Sequence, residues 1–441
     1  MPDIYEIVNS TQLDSDLEDI ADAIRAKTGG QSALDFPNEF ISEIGNISGG
    51  TSITGAVDLS TTAMKAIAAG DTIMAYKDDQ PGFYEYTATV GGVPSRCRFN
   101  PAGTILAVTN GSTKRITLFD VTNNFSKMAD PGTLPTGTAY GCAWSPDGKY
   151  LAVSHAASPF ITVYDTTTTP YTKLADPGTL PTGTGYDCTW SPDGTRLAVA
   201  HNNSPYITIY DTTTTPYTKL ADPGTLPIGT ANACDWNPAG TRLAVGHETS
   251  PYLTVYDTSS TPYTKLSNPA TLPSTSCQGL AWSHSGTYLA AAAYSSPYLV
   301  VYNTTTTPFT KLSNPSKLPS GNGYQCAWSN DDAYVIIGHK TSPYFSVYKT
   351  STTPFTRLSD SVTIPIGCTT SNPVRGLDIS VNNLIAASTT TTTSSAQRAT
   401  LYIIGNKTIP ASNKIQTDVK LGYAPSAIAK DATGTVKVLF T

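Results

Sequence analysis

Four of the five histidines in this 441-residue sequence, His155, His201, His247 and His339, recur at intervals of 46, 46 and 92 residues. Imidazoles in such a series invite a metal reading. A zinc ion needs its ligands about 2.1 Å away around one centre, whereas residues that recur once per repeat sit on neighbouring units several times farther apart. No metal or cofactor site is therefore expected. Two readings stay open: the rings cap the backbone of the Ser-Pro turns that follow them, or they form a polar rim that contacts a ligand. The rim would include Asn202 and Glu248, from the segments HNNSPY and HETSPY, with HKTSPY as a third copy. Tyr206, Tyr252, Tyr298 and Tyr344 either stack on the apolar side of a sugar or pack as strand residues at blade edges.

Hydrolytic chemistry would need a feature that breaks the repetition, such as two carboxylates about 5 to 9.5 Å apart for glycoside cleavage. Asp147 and Asp193 fall in turns, and no partner is expected for Asp187, Asp235 or Asp378. Neither a GxSxG elbow nor a phosphate-binding loop occurs. The seven cysteines include no CxxC pair. Cys97, Cys142, Cys188, Cys234 and Cys326 each precede an aromatic ring by two residues, which on a strand puts thiol and ring on one face. They read as small core residues. No enzyme is expected.

The elements that carry these residues are repeated. Markers at Cys97, Cys142, Cys188, Cys234, Leu280, Cys326 and Leu377 are separated by 45, 46, 46, 46, 46 and 51 residues. Each unit reads as four strands: an apolar one ending in Trp, a second such as 196 to 201, a third such as 206 to 210, and a last such as 217 to 221. Ser191-Pro192-Asp193-Gly194 is a tight turn, with Pro presetting φ, Asp bonding the local backbone and Gly accepting positive φ. The threonine run before Pro216 is a spacer turn between strands. Four-stranded units of this size cannot bury both apolar faces alone, so they stack, and radial stacking makes a β-propeller. Residues 72 to 90 match the third and fourth strands of a unit and 426 to 441 the first and second. Their pairing would close an eight-bladed ring, with seven blades as the fallback.

Charged residues are 14% of the chain and the net charge is -6. With no Lys/Arg run to neutralise phosphates, nucleic-acid binding is not expected. No stretch approaches the roughly 18 apolar residues of a membrane span, nor does the start read as a secretory signal. The repeats resemble the WD40-like propeller superfamily over residues 71 to 441. The resemblance rests on the Trp-Ser-Pro-Asp-Gly hairpin followed by Leu-Ala-Val, and on the aromatic-Asp endings Phe119-Asp120, Tyr164-Asp165, Tyr210-Asp211 and Tyr256-Asp257. It implies the architecture.

Upstream, Leu17, Ile20 and Ile24 make one helical stripe and Phe40, Ile41 and Ile44 a second, a helical hairpin too small for its own core. Residues 1–47 are thus expected to dock on a partner or on their own copies, and residues 48–70 to form a linker with one short helix. The combination of IADAIRAKTG with LDFPNEFISEIGNI resembles an N-terminal element of structural and tail proteins of phages infecting Gram-positive bacteria. That resemblance covers residues 12 to 47. It implies a virion protein folded in the host bacterial cytoplasm, a tail or baseplate appendage that binds other virion proteins through the hairpin. Its propeller would then contact protein or a host-surface glycan. The alternatives are a non-viral bacterial interaction propeller and a propeller glycoside hydrolase.

Overall fold

The computed structural model describes residues 86–90, 92–111, 113–123, 126–358, 373–381 and 384–389, and the strands Thr72–Ala75, Arg398–Ile403 and Val419–Tyr423. The helical hairpin, with Leu17, Ile20, Ile24, Phe40, Ile41 and Ile44, and the linker that follows lie outside the described residues. The chain divides into two units, Thr87–Tyr402 and Met1–Tyr86 with Ile403–Thr441. Within the second of these, Thr72–Ala75 pairs antiparallel with Val419–Tyr423.

One repeat shows how local chemistry builds the larger unit. Strands Gly185–Trp190, Arg196–His201, Ile207–Asp211 and Thr218–Lys219 form an antiparallel sheet in chain order. In the first turn Ser191 Oγ donates to Asp193 Oδ1 at 2.5 Å and accepts from the Arg196 amide at 2.9 Å. Gly194 takes φ +71°, a value that a side chain disfavours. The second strand is buried along almost its whole length, because neighbouring sheets cover both its faces. That is why it reads Leu-Ala-Val-Ala without polar alternation. At the Thr-rich turn Asp211 Oδ1 accepts from the Thr213 amide at 2.8 Å and from its hydroxyl at 2.6 Å, a local side-chain turn.

Sheets join through the residues that end the strands. Trp190 Nε1 donates to the Ala143 carbonyl of the preceding sheet at 3.2 Å, and Cys188 Sγ lies 3.7 Å from Ala152 O. Both side chains share a core with Ile161, Val163, Leu197 and Tyr210. Tyr210 is fully buried, yet its hydroxyl reaches the Thr179 carbonyl at 2.8 Å. It thereby pins the long connection between sheets. Tyr164, Tyr256, Tyr302 and Tyr348 repeat the bond.

Six blades are each built from one contiguous repeat, the first from Pro94–Phe99 to Ser126–Lys127 and the last from Gly323–Trp328 to Thr356–Arg357. The unit that begins at residue 374 differs. Its strands Val374–Ile379, Leu384–Thr389 and Arg398–Ile403 form a sheet whose outer strand, Tyr86–Thr89, comes from ahead of the first blade. Val374–Ile379 then lies against Pro94–Phe99 and closes the ring.

The expectation of eight blades, and of seven as its fallback, is thus corrected to six self-contained blades plus this composite sheet. The overcount came from treating residues 72 to 90 as two strands of one sheet. Only Tyr86–Thr89 joins the composite sheet, while Thr72–Ala75 pairs elsewhere. Residues 426–441 lie outside the described residues.

Candidate functional site: the axial channel and its two ends

The inner strand of every sheet has six residues, and its third and fifth positions face the axis. Around the ring the third position reads Arg96, Gly141, Asp187, Ala233, Gly279, Gln325 and Gly376. Each large polar residue is flanked on both sides by Gly or Ala. The reason is space: a Cβ on Gly141 would stand 2.7 Å from Asp187 Cα, and one on Gly376 2.6 Å from Arg96 Cα. Arg96 uses that room to cross the axis. Its Nη2 donates to the carbonyls of Asn232 at 3.1 Å and Gln278 at 2.9 Å, its Nη1 to Gln325 Oε1, and its Nε lies 3.7 Å from Asp187 Oδ1. All three side chains are buried. The channel is plugged at this level by a side-chain network.

Toward the turn end, the fifth positions are Arg98, Ala143, Thr189, Asp235, Ala281, Ala327 and Asp378. Asp378 Oδ2 accepts from the Phe99 amide at 2.7 Å, Asp235 Oδ2 from the Trp282 amide at 2.8 Å, and, from the third position, Asp187 Oδ2 from the Cys234 amide at 3.3 Å. The three carboxylates for which no partner was expected each bridge to another sheet. Desolvation pushes Asp235 up to about 7 and raises Asp378 as well. A cavity of about 270 Å³ opens beside Asp378, lined also by Arg98, Thr189, Trp144 and Trp190 among others.

At the opposite end, the second positions are Ser95, Tyr140, Tyr186, Asn232, Gln278, Tyr324 and Arg375. The rings of Tyr140 and Tyr186 lie 5.3 Å apart, and Arg375 lies over Tyr324 at 5.5 Å. The long connections between sheets and the Ser-Pro turns also emerge here. Of the four exposed large hydrophobic residues among those described, three are at this end: Val93 (49% exposed), Ile228 (52%) and Tyr294 (43%).

The structure separates the histidines from the surface residues next to them. His155, His201, His247 and His339 are 0% exposed. Each Nε2 pairs with a hydroxyl of the adjacent strand, Thr162, Thr208, Thr254 and Ser346, at 2.8 to 3.0 Å. Burial depresses the first three to about 4, so they are neutral strand-to-strand ties. A ligand at the surface cannot reach them. Asn202 is half-buried and Glu248 exposed, both at the loop end. Tyr206 and Tyr252 pack against the core between sheets, and Tyr344 is buried. Among the described residues no group of three or more His, Cys, Asp or Glu could hold a metal ion, and no helix is long and apolar enough to cross a membrane. Sequence reasoning missed the axial plug; its signal was the third inner-strand position, where one register carries Arg, Gly, Asp, Ala and Gln.

The family model for eukaryotic translation initiation factor eIF2A matches residues 179–307, less than half of the chain. No curated protein matches the sequence. Among solved structures, the chain is similar to Kuenenia stuttgartiensis hydrazine synthase at 16% identity and a TM-score of 0.55, over 68% of this chain and 93% of that one. It is also similar to the β-propeller domain of Myceliophteria thermophila Cps50 (Swd1), at 15% identity and 0.52, over 72% and 99%. A chain of the Mitotic Checkpoint Complex gives 15%, 0.57, 76% and 99%. At such identities the likeness concerns fold alone: this chain has a β-propeller fold.

Proposed function

We propose that the chain is a non-enzymatic protein-interaction propeller that docks a protein partner on the loop end of its disc. The observation that carries this reading is that Val93, Ile228 and Tyr294 are exposed at that end of the ring, which also bears Tyr140, Tyr186 and Arg375. Exposed apolar side chains among aromatic and Arg residues have the composition of protein interfaces. The plug beneath them supports contact over transit or catalysis, since the channel carboxylates are engaged with backbone amides of other sheets. The similarity to a chain of the Mitotic Checkpoint Complex, a protein assembly, is consistent with this class of role.

The biological setting we propose is a phage virion, with the propeller as a tail or baseplate appendage made in the host cytoplasm. The resemblance of residues 12–47 supports it. Labelling of purified virions with an antibody to the propeller tests the setting, and unlabelled particles would overturn it. Docking is tested by Ile228→Glu with Tyr294→Ser, which should leave the melting temperature unchanged and weaken assembly with the partner at least tenfold. Full assembly by the folded double variant would remove the loop end from the proposal.

A further inference from the structure

The turn-end cavity is distinct from the loop-end docking surface, and its polar atoms are only partly used. Arg98 Nη1 donates to Leu377 O at 3.0 Å and to Cys97 O at 3.3 Å. These bonds fix the guanidinium plane. Its Nε and Nη2 make no hydrogen bond among the described residues, and the side chain keeps 24% of its surface exposed. Asp378 Oδ1 stands 3.7 Å from Arg98 Nη1, too far for a hydrogen bond, while Oδ2 is held by the Phe99 amide. The cavity is thus lined by a guanidinium with more donors than its two carbonyl bonds use, beside the Asp378 carboxylate, whose charge the Phe99 and Ile379 amides also stabilise. Thr189 adds a hydroxyl, whose contact with Asp235 Oδ1 is a long 3.5 Å. Pro101, Pro146 and Val381, all exposed, supply its apolar rim, while the rings of Trp144, Trp190 and Phe99 are buried behind it.

We propose that this cavity is a binding site for one neutral saccharide ring. Neighbouring ring hydroxyls each donate and accept, which suits Arg98 and Asp378 side by side, and the C–H groups of the ring suit the apolar rim of Pro101, Pro146 and Val381. Charge argues the same way. Arg98 and Asp378 oppose each other, so a carboxylate drawn to one is repelled by the other, as is an ammonium. Size sets the limit, because pockets for drug-sized ligands begin at about 300 Å³. A cavity of about 270 Å³ takes one ring and leaves the rest of a glycan in solvent.

Intrinsic tryptophan fluorescence of the full chain, titrated with methyl glucoside, methyl galactoside and N-acetylglucosamine, tests the site. Glucuronate and glucosamine serve as charged controls. Saturable quenching by at least one neutral sugar is expected, weakened about tenfold or more in Thr189→Leu, which fills the cavity, and severalfold in the isosteric Thr189→Val. Glu248→Gln, at the other end, should leave it unchanged. The proposal is overturned if no neutral sugar gives saturable quenching, if the charged sugars bind more tightly, or if folded Thr189→Val and Thr189→Leu bind as well as the parent.

Discussion

Arg96 and the repeated histidines occupy one protein interior with opposite electrostatic solutions. Arg96 keeps its charge by pairing with Asp187 and bonding two carbonyls and Gln325. Removing one member of such a buried pair leaves the other uncompensated, a loss of about 3 to 5 kcal/mol. Arg96→Met should therefore destabilise the fold by that amount in chemical denaturation, and adding Asp187→Asn should restore part of it. Equal stability of Arg96→Met and parent would remove the plug from the account.

The histidines instead stay neutral. With folded values of about 4 for His155, His201 and His247 against about 6.5 unfolded, the unfolded chain takes up protons that the folded one refuses. Stability then falls as pH drops from about 6.5 to 4. Asp235 and Asp378, raised by burial, act in the opposite sense but are fewer. Ring resonances of the three histidines should keep their neutral positions at pH 5.5. A midpoint near 6.5 for His201 would contradict the buried ties. The sequence showed that these histidines are equivalent. It could not show that their rings point inward, because that depends on the hydroxyl seven residues on and on the sheet that covers both.

The strand and turn pattern of each repeat was legible because its rules are local. Ser-Pro-Asp-Gly fixes a turn, and an uninterrupted apolar run fixes a strand covered on both faces. What joins one element to the next was less visible. Tyr210 occupies a strand end, but its hydroxyl holds a connection 31 residues earlier in the chain, at Thr179. Thr179 is exposed, so Tyr210→Phe loses the tie without stranding a buried carbonyl, and a loss of about 0.5 to 1.5 kcal/mol is expected. Faster amide exchange should follow in the connection from residue 176 to 184. A loss of stability without any change in exchange there would place the effect in packing alone.

Over the whole molecule, repetition makes the disc and departures from repetition make its sites. Third-position glycines admit the axial plug, fifth-position Arg98 and Asp378 form the turn-end cavity, and Val93, Ile228 and Tyr294 mark the loop end. The blade count was misread because ring closure is a non-local pairing, in which Tyr86–Thr89 serves a sheet whose other strands lie some 290 residues later in the chain. No local pattern encodes that choice.

The claim that the loop end is the docking surface has a direct test. A photo-cross-linking residue would be placed at Tyr294, or at Asn330 in a turn of the opposite end, in the full chain within its native assembly. Irradiation should give protein adducts from position 294 and none from position 330. Adducts from position 330 alone, or equally from both, would contradict it.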